Sequence, residues 1–229
     1  DVEKRDILNL YRDDIKKAAK RYNSKVSALF ENIPAYLSTH EKKIVLSEID
    51  PGATFDRYDD PLFWLDDSMI CNLCYKCNDP NVGFALNKND SAVKCYMGDT
   101  GLLVSLAFNE NEIMDQQLYK LIMNDKLSLN EGMIYENAIS QIIASKGKKL
   151  YFYTRYSEEK HRNDIEIDFL LSNESKMNFK VFPVEVKSSK NYTTTSLIRF
   201  KEAFNKRIDM SYIVHPKNLA IDNGILKMP

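Results

Sequence analysis

Three β-rich runs follow a helix-forming segment in the C-terminal half of the chain, and this succession constrains the fold most. Residues 129–147, "LNEGMIYENAISQIIASKG", have the apolar spacing of an amphipathic helix, and Gly147 is placed to end it. The runs that follow are "KLYFYTRY", "NDIEIDFLLS" and "FKVFPVEVKSS". The helix-forming "TTTSLIRFKEAFNK" and the strand-forming "MSYIVH" come last. The predicted order is therefore helix, three strands, helix, strand.

Two of these runs have charged side chains where a buried strand would favour apolar ones. Side chains alternate along a strand, so Glu166 and Asp168 are predicted to share one face of their run. By the same rule Glu185 and Lys187 share one face of the next run. If the two strands are antiparallel neighbours, Asp168 and Glu185 meet, with Lys187 beside them.

This grouping suits a divalent cation. Two neighbouring carboxylates raise one another's pKa unless a cation lies between them, and oxygen ligands suit Mg²⁺ or Mn²⁺. A nearby lysine can orient the attacking water and stabilise developing charge. We therefore predict Asp168 and Glu185 as metal ligands and Lys187 as a catalytic residue. Two alternatives stay open: Glu166 could replace Asp168 as a ligand, and the group could be a partly buried ion-pair network.

The first part of the chain reads differently. Residues 1–88 are predicted to be helical with one late strand pair, which suggests a winged-helix-like domain, followed by a second domain over residues 89–229. The helix in the position of a recognition helix is acidic, with a single Arg57 against Asp56, Asp59, Asp60, Asp66 and Asp67. Phosphates would be repelled, so this domain is predicted to be a protein-contact or spacer module. The fold class is α+β or α/β.

Several local signals refine the first part. Ser24 is a plausible helix cap, and Pro34 should bend or end that helix. A later helix could restart at Asp60-Pro61. Two strands are predicted within "ICNLCYKCNDPNVGFAL", around the turn at residues 79–81. Asp99 or Thr100 should cap the short helix "DTGLLVSLAF".

Composition excludes several classes. The 229 residues are 44% hydrophobic and 28% charged with a net charge of -1, so neither disorder nor a strongly basic chain is indicated. We find no apolar run of about 18 residues and no secretory leader, so we expect a cytoplasmic protein without a membrane span. The first residue is Asp1 rather than Met. We therefore expect the chain to be the C-terminal part of a longer protein.

Two further clusters leave alternatives open. Cys71, Cys74 and Cys77 have the spacing of a metal loop, but in a strand Cys74 would point away from the other two and no histidine lies close in sequence, so we expect free thiols in a reducing cytosol. Arg155 and Arg162 precede the strand of Asp168, and Lys190 follows the strand of Lys187, together with the neighbouring Lys160 and His161. These basic residues are predicted either to contact nucleic-acid phosphates or to be solvated loop charges.

Asp168 on one predicted strand, followed by Glu185-Val186-Lys187 on the next, resembles the metal motif of the PD-(D/E)XK nuclease superfamily. That resemblance implies a restriction-endonuclease-like core of one helix, three strands, a helix and a strand, in the order read above. It also implies that a glutamate on the leading helix joins the site, and Glu136 in "YENAI" matches that position. The alternative for Glu136 is an exposed helix residue.

A wider resemblance covers nearly the whole chain. The segments "LFENIPAYLS", "KCYMGDTGLL", "GMIYENAI", "YFYTR", "IEIDFLL" and "FPVEVKSS" resemble the C-terminal region of a prokaryotic AAA-type ATPase family. In that family a P-loop domain precedes a winged-helix-like segment and a nuclease-like domain of uncharacterised function. No G-x-x-x-x-G-K-[ST] motif occurs here, so we expect no ATP hydrolysis.

The resemblance implies two functions and a set of partners. The first function is Mg²⁺- or Mn²⁺-dependent hydrolysis of a nucleic-acid phosphodiester. The alternative is a catalytically inactive DNA- or protein-binding module that regulates the ATPase. The implied partners are the protein's own N-terminal ATPase domain and DNA, with an oligomer left open.

Overall fold

A computed structural model describes residues 2–108, 131–173 and 180–229 of the chain. They divide into two compact units, each built from two separated stretches of sequence. The first unit comprises Asp1–Leu73 and Lys94–Lys146, and the second comprises Cys74–Val93 and Gly147–Pro229. The domain boundary predicted at residue 88 stays a prediction, because a compact unit in space need not follow the domain order along a chain.

The first unit is helical. Its helices are α1 (Val2–Ala18), α2 (Asn23–Glu31), α3 (Ile33–Ser38), α4 (Phe55–Asp67), α5 (Thr100–Ala107) and α6 (Glu131–Ser145). Helix α2 packs against both α1 and α4, and α5 packs against α1 and α6. The predicted helical N-terminal region is confirmed, since the apolar spacing of α1 buries Leu8 and Ile15 completely.

The caps and breaks of these helices only partly follow the sequence signals. The Ser24 cap is wrong, because α2 already begins at Asn23. Pro34 does separate two helices, since α2 ends at Glu31 and Pro34 lies in the first turn of α3. The cap at Asp99 is confirmed, with Oδ1 accepting a hydrogen bond from Leu102 N at 2.8 Å.

Helix α4 does not restart at Asp60, so that prediction is wrong. It runs without a break from Phe55 to Asp67 with Pro61 inside it. A proline has no N–H, so the carbonyl of Arg57, four residues earlier, loses its helical donor. The Lys25 ammonium replaces it, donating to the Arg57 oxygen at 3.0 Å. A side chain from α2 thus satisfies the group that the proline leaves free.

One sheet contains four strands in the order β2-β1-β3-β4. They are β1 (Cys71–Cys77), β2 (Lys88–Met97), β3 (Leu150–Ser157) and β4 (Arg162–Ile167). Strand β3 pairs in parallel with β1 and antiparallel with β4. The late strand pair is therefore present as β1 and β2. Its second strand was misplaced, because Phe84–Asn87 forms a 3-10 helix and β2 begins only at Lys88.

The other sheet contains five strands in the order β5-β6-β7-β9-β8. They are β5 (Phe169–Asn173), β6 (Lys180–Val186), β7 (Ser211–Val214), β8 (Ala220–Asp222) and β9 (Ile225–Met228). Helix α7 (Thr195–Ala203) connects β6 to β7 and packs on β4. The coarse class, a mixed α+β chain with mixed sheets in its C-terminal part, is confirmed. The final β8–β9 hairpin was not predicted.

The run "NDIEIDFLLS" is not one strand. Strand β4 ends at Ile167 and pairs with β3, whereas β5 begins at Phe169 and pairs with β6. Alternation therefore breaks at Asp168, where the chain passes from one sheet to the other. Consistent with this break, Phe169 and Leu170 are both buried although they are adjacent.

The core of the second unit lies between these strands and α7. Its buried members are Cys77, Phe84, Tyr151, Tyr153, Ile165, Ile167, Leu170, Val181, Leu197, Phe200, Ile213 and Ile225. The rings of Tyr153 and Phe200 meet edge to face with centroids 5.3 Å apart, which joins β3 to α7. In the part of the chain that the structure describes, no helix has the length and apolar character needed to span a membrane.

Candidate functional site

Asp168 occupies the crossing between the two sheets of the second unit. Its side chain is 8% exposed, and Oδ2 accepts a hydrogen bond from the backbone N–H of Val186 at 2.8 Å. Val186 is the last residue of β6 and the middle residue of the Glu-x-Lys sequence. The first acid of the predicted group is thus hydrogen-bonded directly to the backbone between the other two residues.

The strand pairing that the prediction required is confirmed. Strands β5 and β6 are antiparallel, with Phe169 opposite Val184. Asp168 itself precedes β5, and its contact with β6 is the hydrogen bond from the Val186 N–H. The chemical roles of Asp168 and Glu185 as metal ligands stay predictions.

Glu185 is almost fully buried and forms an ion pair with Lys187. The side chain of Glu185 is 1% exposed, and its Oε2 lies 3.0 Å from Lys187 Nζ. Burial raises the pKa of the Glu185 carboxyl group, Lys187 lowers it, and the charge of Glu166 raises it further. The net direction is upward, so one lysine does not compensate for the loss of water around this carboxylate.

Glu166 lies close enough to influence Glu185, and its backbone is fixed by α7. The Ser196 hydroxyl donates to the Glu166 carbonyl oxygen at 3.0 Å and also accepts from the Glu166 N–H. This double contact ties the first turn of α7 to β4. The choice between Glu166 and Asp168 as a ligand therefore remains open on electrostatic grounds, but only Asp168 is hydrogen-bonded to the backbone of β6.

The donor set fits a sparse magnesium site rather than a closed protein cage. Among the described residues, no group of three or more His, Cys, Asp or Glu side chains could hold a metal ion. Asp168 and Glu185 offer two carboxylates, and the Val186 carbonyl offers a further oxygen. Mg²⁺ commonly takes only one or two protein carboxylates and fills its other positions with water and phosphate oxygens.

Glu136 belongs to the first unit, whereas Asp168, Glu185 and Lys187 belong to the second. The alternative of an exposed helix residue is wrong, since Glu136 is only 3% exposed. Its carboxylate lies 2.6 Å from Lys42 Nζ, and its other oxygen accepts from the Tyr96 hydroxyl at 3.0 Å and lies 3.7 Å from Lys94 Nζ.

This network sets the protonation state of Glu136. Burial raises its pKa, but the charges of Lys94 and Lys42 and the hydrogen bonds from Lys42 and Tyr96 outweigh burial and lower the pKa. The carboxylate is therefore held in its charged form by two ammonium groups and a hydroxyl of its own unit. A catalytic role for Glu136 stays a prediction.

The predicted phosphate contacts differ in their availability. Arg155 forms a bidentate ion pair with Asp164, at 2.9 Å from Nε and 2.8 Å from Nη2. The side chains of Arg162 and Lys190 are exposed. A phosphate would have to compete with Asp164 for Arg155, and nucleic-acid binding by these three residues stays a prediction.

The cysteines are free, buried thiols. Hydrogen bonding with Cys95 and burial raise the pKa of the Cys71 thiol. Burial raises the pKa of Cys77 to about 11, and its thiol donates to the Asp79 carbonyl oxygen at 3.0 Å. Metal binding requires thiolates, and these environments favour the protonated form.

Sequence reasoning missed His215, which lies beside Lys187. Lys187 N donates to the Val214 carbonyl at 2.8 Å, so the parallel register of β6 and β7 brings His215 opposite Lys187. His215 is 3% exposed, its Nδ1 is hydrogen-bonded to the Tyr192 hydroxyl at 2.7 Å, and its Nε2 has no hydrogen-bond partner within the described residues. Its place at the end of the strand-forming run "MSYIVH" was the only sequence signal.

Two family models match the chain. Residues 131–227 match a family described as "Domain of unknown function (DUF4143)", which is typically found with AAA ATPases. Residues 2–113 match "Domain of unknown function (DUF8612)". No curated protein and no solved structure matches the chain significantly. The link to AAA-type ATPases therefore rests on the C-terminal match.

Proposed function

We propose that the second unit is a nuclease-like domain of the PD-(D/E)XK type, which hydrolyses nucleic-acid phosphodiesters with Mg²⁺ or Mn²⁺. We further propose that the chain is the C-terminal region of an AAA-type ATPase and that its first part is a winged-helix-like module. One observation supports the nuclease proposal above the others. The Asp168 carboxylate accepts a hydrogen bond from the Val186 N–H at 2.8 Å and so is joined to the backbone between Glu185 and Lys187.

Each residue of the group has a role in this proposal. Asp168, Glu185 and the Val186 carbonyl would hold the ion, which supplies positive charge for the transition state and lowers the pKa of bound water. The Lys187 side chain is 27% exposed, so its ammonium can reach a water or a phosphate oxygen as well as Glu185. Glu136 is not required.

A cleavage assay tests the proposal directly. Plasmid and single-stranded DNA are incubated with Mn²⁺ and wild-type protein, Asp168→Ala or Lys187→Ala. Glu202→Ala and Lys206→Ala serve as matched controls, because both side chains are exposed and lie outside the group. We expect the wild type and both controls to cleave, and the two site variants to lose at least about 100-fold of the rate. Equal cleavage by all five proteins would indicate a contaminating nuclease and overturn the proposal.

Calorimetry tests the metal site without relying on turnover. We expect Mn²⁺ to bind the wild type and Glu202→Ala alike, and to bind Asp168→Ala much more weakly. The absence of binding heat at millimolar Mn²⁺ would contradict a metal site at these residues.

A second candidate function is a non-catalytic module that binds DNA or protein and regulates the ATPase. It is favoured by the lack of any third metal-ligand side chain among the described residues and by the ion pair that occupies Arg155. The exposed acidic side chains of α4 further favour a protein partner over DNA for the first unit. Failure of both the cleavage and the Mn²⁺ tests would select this second function.

A further inference from the structure

The second unit contains a cavity of about 190 Å³ that is separate from the predicted site residues. Three segments line it: residues 83–85 before β2, residues 148, 149 and 151 at the start of β3, and residues 170–172 of β5. All three belong to the same compact unit. The size is below the range of about 300–1,000 Å³ that drug-sized ligands need, so the cavity suits a small group or one part of a larger ligand.

The floor of the cavity is aromatic and fixed. The rings of Phe84 and Tyr151 lie with centroids 5.3 Å apart and are tilted by 49°. Both rings and Leu170 belong to the buried core of this unit, so their positions are set by packing on the side away from the cavity. A planar group entering the cavity would meet side chains already fixed in position, with polar and apolar surface in similar proportion.

The rim of the cavity is positively charged. Lys148 and Lys149 are adjacent in sequence, exposed, and line the cavity. Neither forms a hydrogen bond or an ion pair with any of the residues that the structure describes. Two neighbouring ammonium groups repel each other, and an anionic phosphate bound between them would relieve that repulsion.

The cavity also lies within reach of the predicted site. Leu170 lines it and is two residues from Asp168 along the chain, a separation of about 7 Å in an extended strand. A nucleic-acid strand bound at Asp168 is long enough to extend to the cavity. Aromatic floors beside basic side chains are how sequence-tolerant proteins hold the unpaired bases and phosphates of single strands.

We propose that this cavity and its rim bind one nucleotide of a single-stranded nucleic acid, with only the base inside the cavity, against Phe84 and Tyr151, and the phosphate outside it on Lys148 and Lys149. The choice of a nucleotide over other small phosphate esters rests on the proposed function. The cavity, its floor and its charged rim do not depend on catalysis.

Binding is measured without metal, so that catalysis does not enter the result. Deoxyadenosine monophosphate is titrated into the chain in EDTA, and its affinity is followed by saturation-transfer and protein-observed NMR. Inorganic phosphate and deoxyadenosine are titrated in parallel arms. We expect saturable binding of the nucleotide that is at least about tenfold tighter than that of either fragment, because the floor and the rim each contribute.

Three variants test whether the cavity and its rim are the place where the nucleotide binds. Lys148→Ala/Lys149→Ala should weaken nucleotide binding at least about tenfold, while Lys146→Ala should leave it within about twofold. Lys146 is the matched control, since it is exposed two residues away and does not line the cavity. Ala85→Phe changes an exposed lining residue into one that fills the cavity, and it should abolish binding with no change in charge.

Three outcomes would overturn the inference: no saturable nucleotide binding at millimolar concentration, equal weakening by Lys146→Ala, or full binding by Ala85→Phe. If inorganic phosphate bound as tightly as the nucleotide, the base would contribute nothing to binding, and this result would also overturn the inference. If the cavity fails while Mn²⁺-dependent cleavage is observed, the proposed function stands without this subsite. If cleavage fails while the nucleotide binds as expected, the cavity serves a non-catalytic module.

Discussion

Glu136 in the first unit and Glu185 in the second are both buried glutamates, yet their pKa values move in opposite directions. Burial raises the pKa of each, but at Glu136 two lysines and a tyrosine hydroxyl reverse that effect, and at Glu185 one partly exposed lysine does not. The fold therefore stabilises the charged form of Glu136, whereas it destabilises the charged form of Glu185. Such an uncompensated buried carboxylate is more typical of a functional site than of a structural one.

The largest expected effect is at Glu136. Glu136→Gln keeps the shape of the side chain but leaves Lys94 and Lys42 without their carboxylate, and their side chains are only 1% and 14% exposed. We expect a loss of about 3–5 kcal/mol in the free energy of unfolding, measured by urea denaturation at pH 7. A loss below about 1 kcal/mol would mean that the network does not hold the first unit, and the comparison would fail.

Removal of one hydroxyl should have an intermediate effect. Tyr96→Phe deletes the hydrogen bond to the Glu136 carboxylate, which is 3.0 Å long and buried. A hydrogen bond to a charged group contributes about 1.5–3 kcal/mol, and we expect a loss of that size in urea denaturation. Tyr156→Phe is the control, because Tyr156 is 53% exposed. Equal losses in the two variants would contradict a specific role for the Tyr96 hydroxyl.

At Glu185 the same substitution should change the free energy of unfolding in the opposite direction or leave it unchanged. Glu185→Gln removes a charge that burial disfavours, and the remaining Lys187 can be solvated because its side chain is 27% exposed. We expect the free energy of unfolding at pH 7 to stay unchanged or to rise by about 1 kcal/mol. A loss of several kcal/mol would show that the ion pair is structural after all, and the contrast with Glu136 would disappear.

The smallest expected effect is a difference in how the stabilities of the two glutamine variants depend on pH. The Glu136 pKa is lowered on folding, so the deficit of Glu136→Gln should be complete above the ordinary value of 4.5 and shrink only as the pH falls below it. The Glu185 pKa is raised on folding, so the gain of Glu185→Gln should shrink as the pH falls from the raised value towards 4.5.

Denaturation of wild type and both variants between pH 7 and pH 4 measures these two differences. We expect the Glu185 gain to vanish at a higher pH than the Glu136 deficit. The reverse order, or a Glu136 deficit that shrinks already above pH 5, would contradict the assigned directions of the two shifts.

Much of the local structure was predictable because its causes are local. The amphipathic spacing predicted α1 and α6, and the Asp99 cap of α5 follows from one side chain and the backbone three residues later. The Glu185-x-Lys187 strand was recognised from alternation, and its antiparallel neighbour was inferred correctly.

The remaining features depend on contacts between different helices or strands. Pro61 stays inside α4 because Lys25 from another helix satisfies the freed carbonyl. Arg155 is paired by Asp164, which lies on a neighbouring strand. No periodicity in the sequence predicts either contact, so the restart of α4 and the availability of Arg155 were both judged without the deciding partner.

The sequence by itself determined most of the helices and strands and the spacing of the Glu185-x-Lys187 sequence, but not the β8–β9 hairpin or the separation of β4 from β5. Only the tertiary structure decided that the chain changes sheets at Asp168 and that Glu136 lies between charges, one of them 94 residues away at Lys42. The physical reason is the range of the interactions. Alternation and capping act within a few residues, whereas the charge state of a buried carboxylate depends on every ion that folding brings near it.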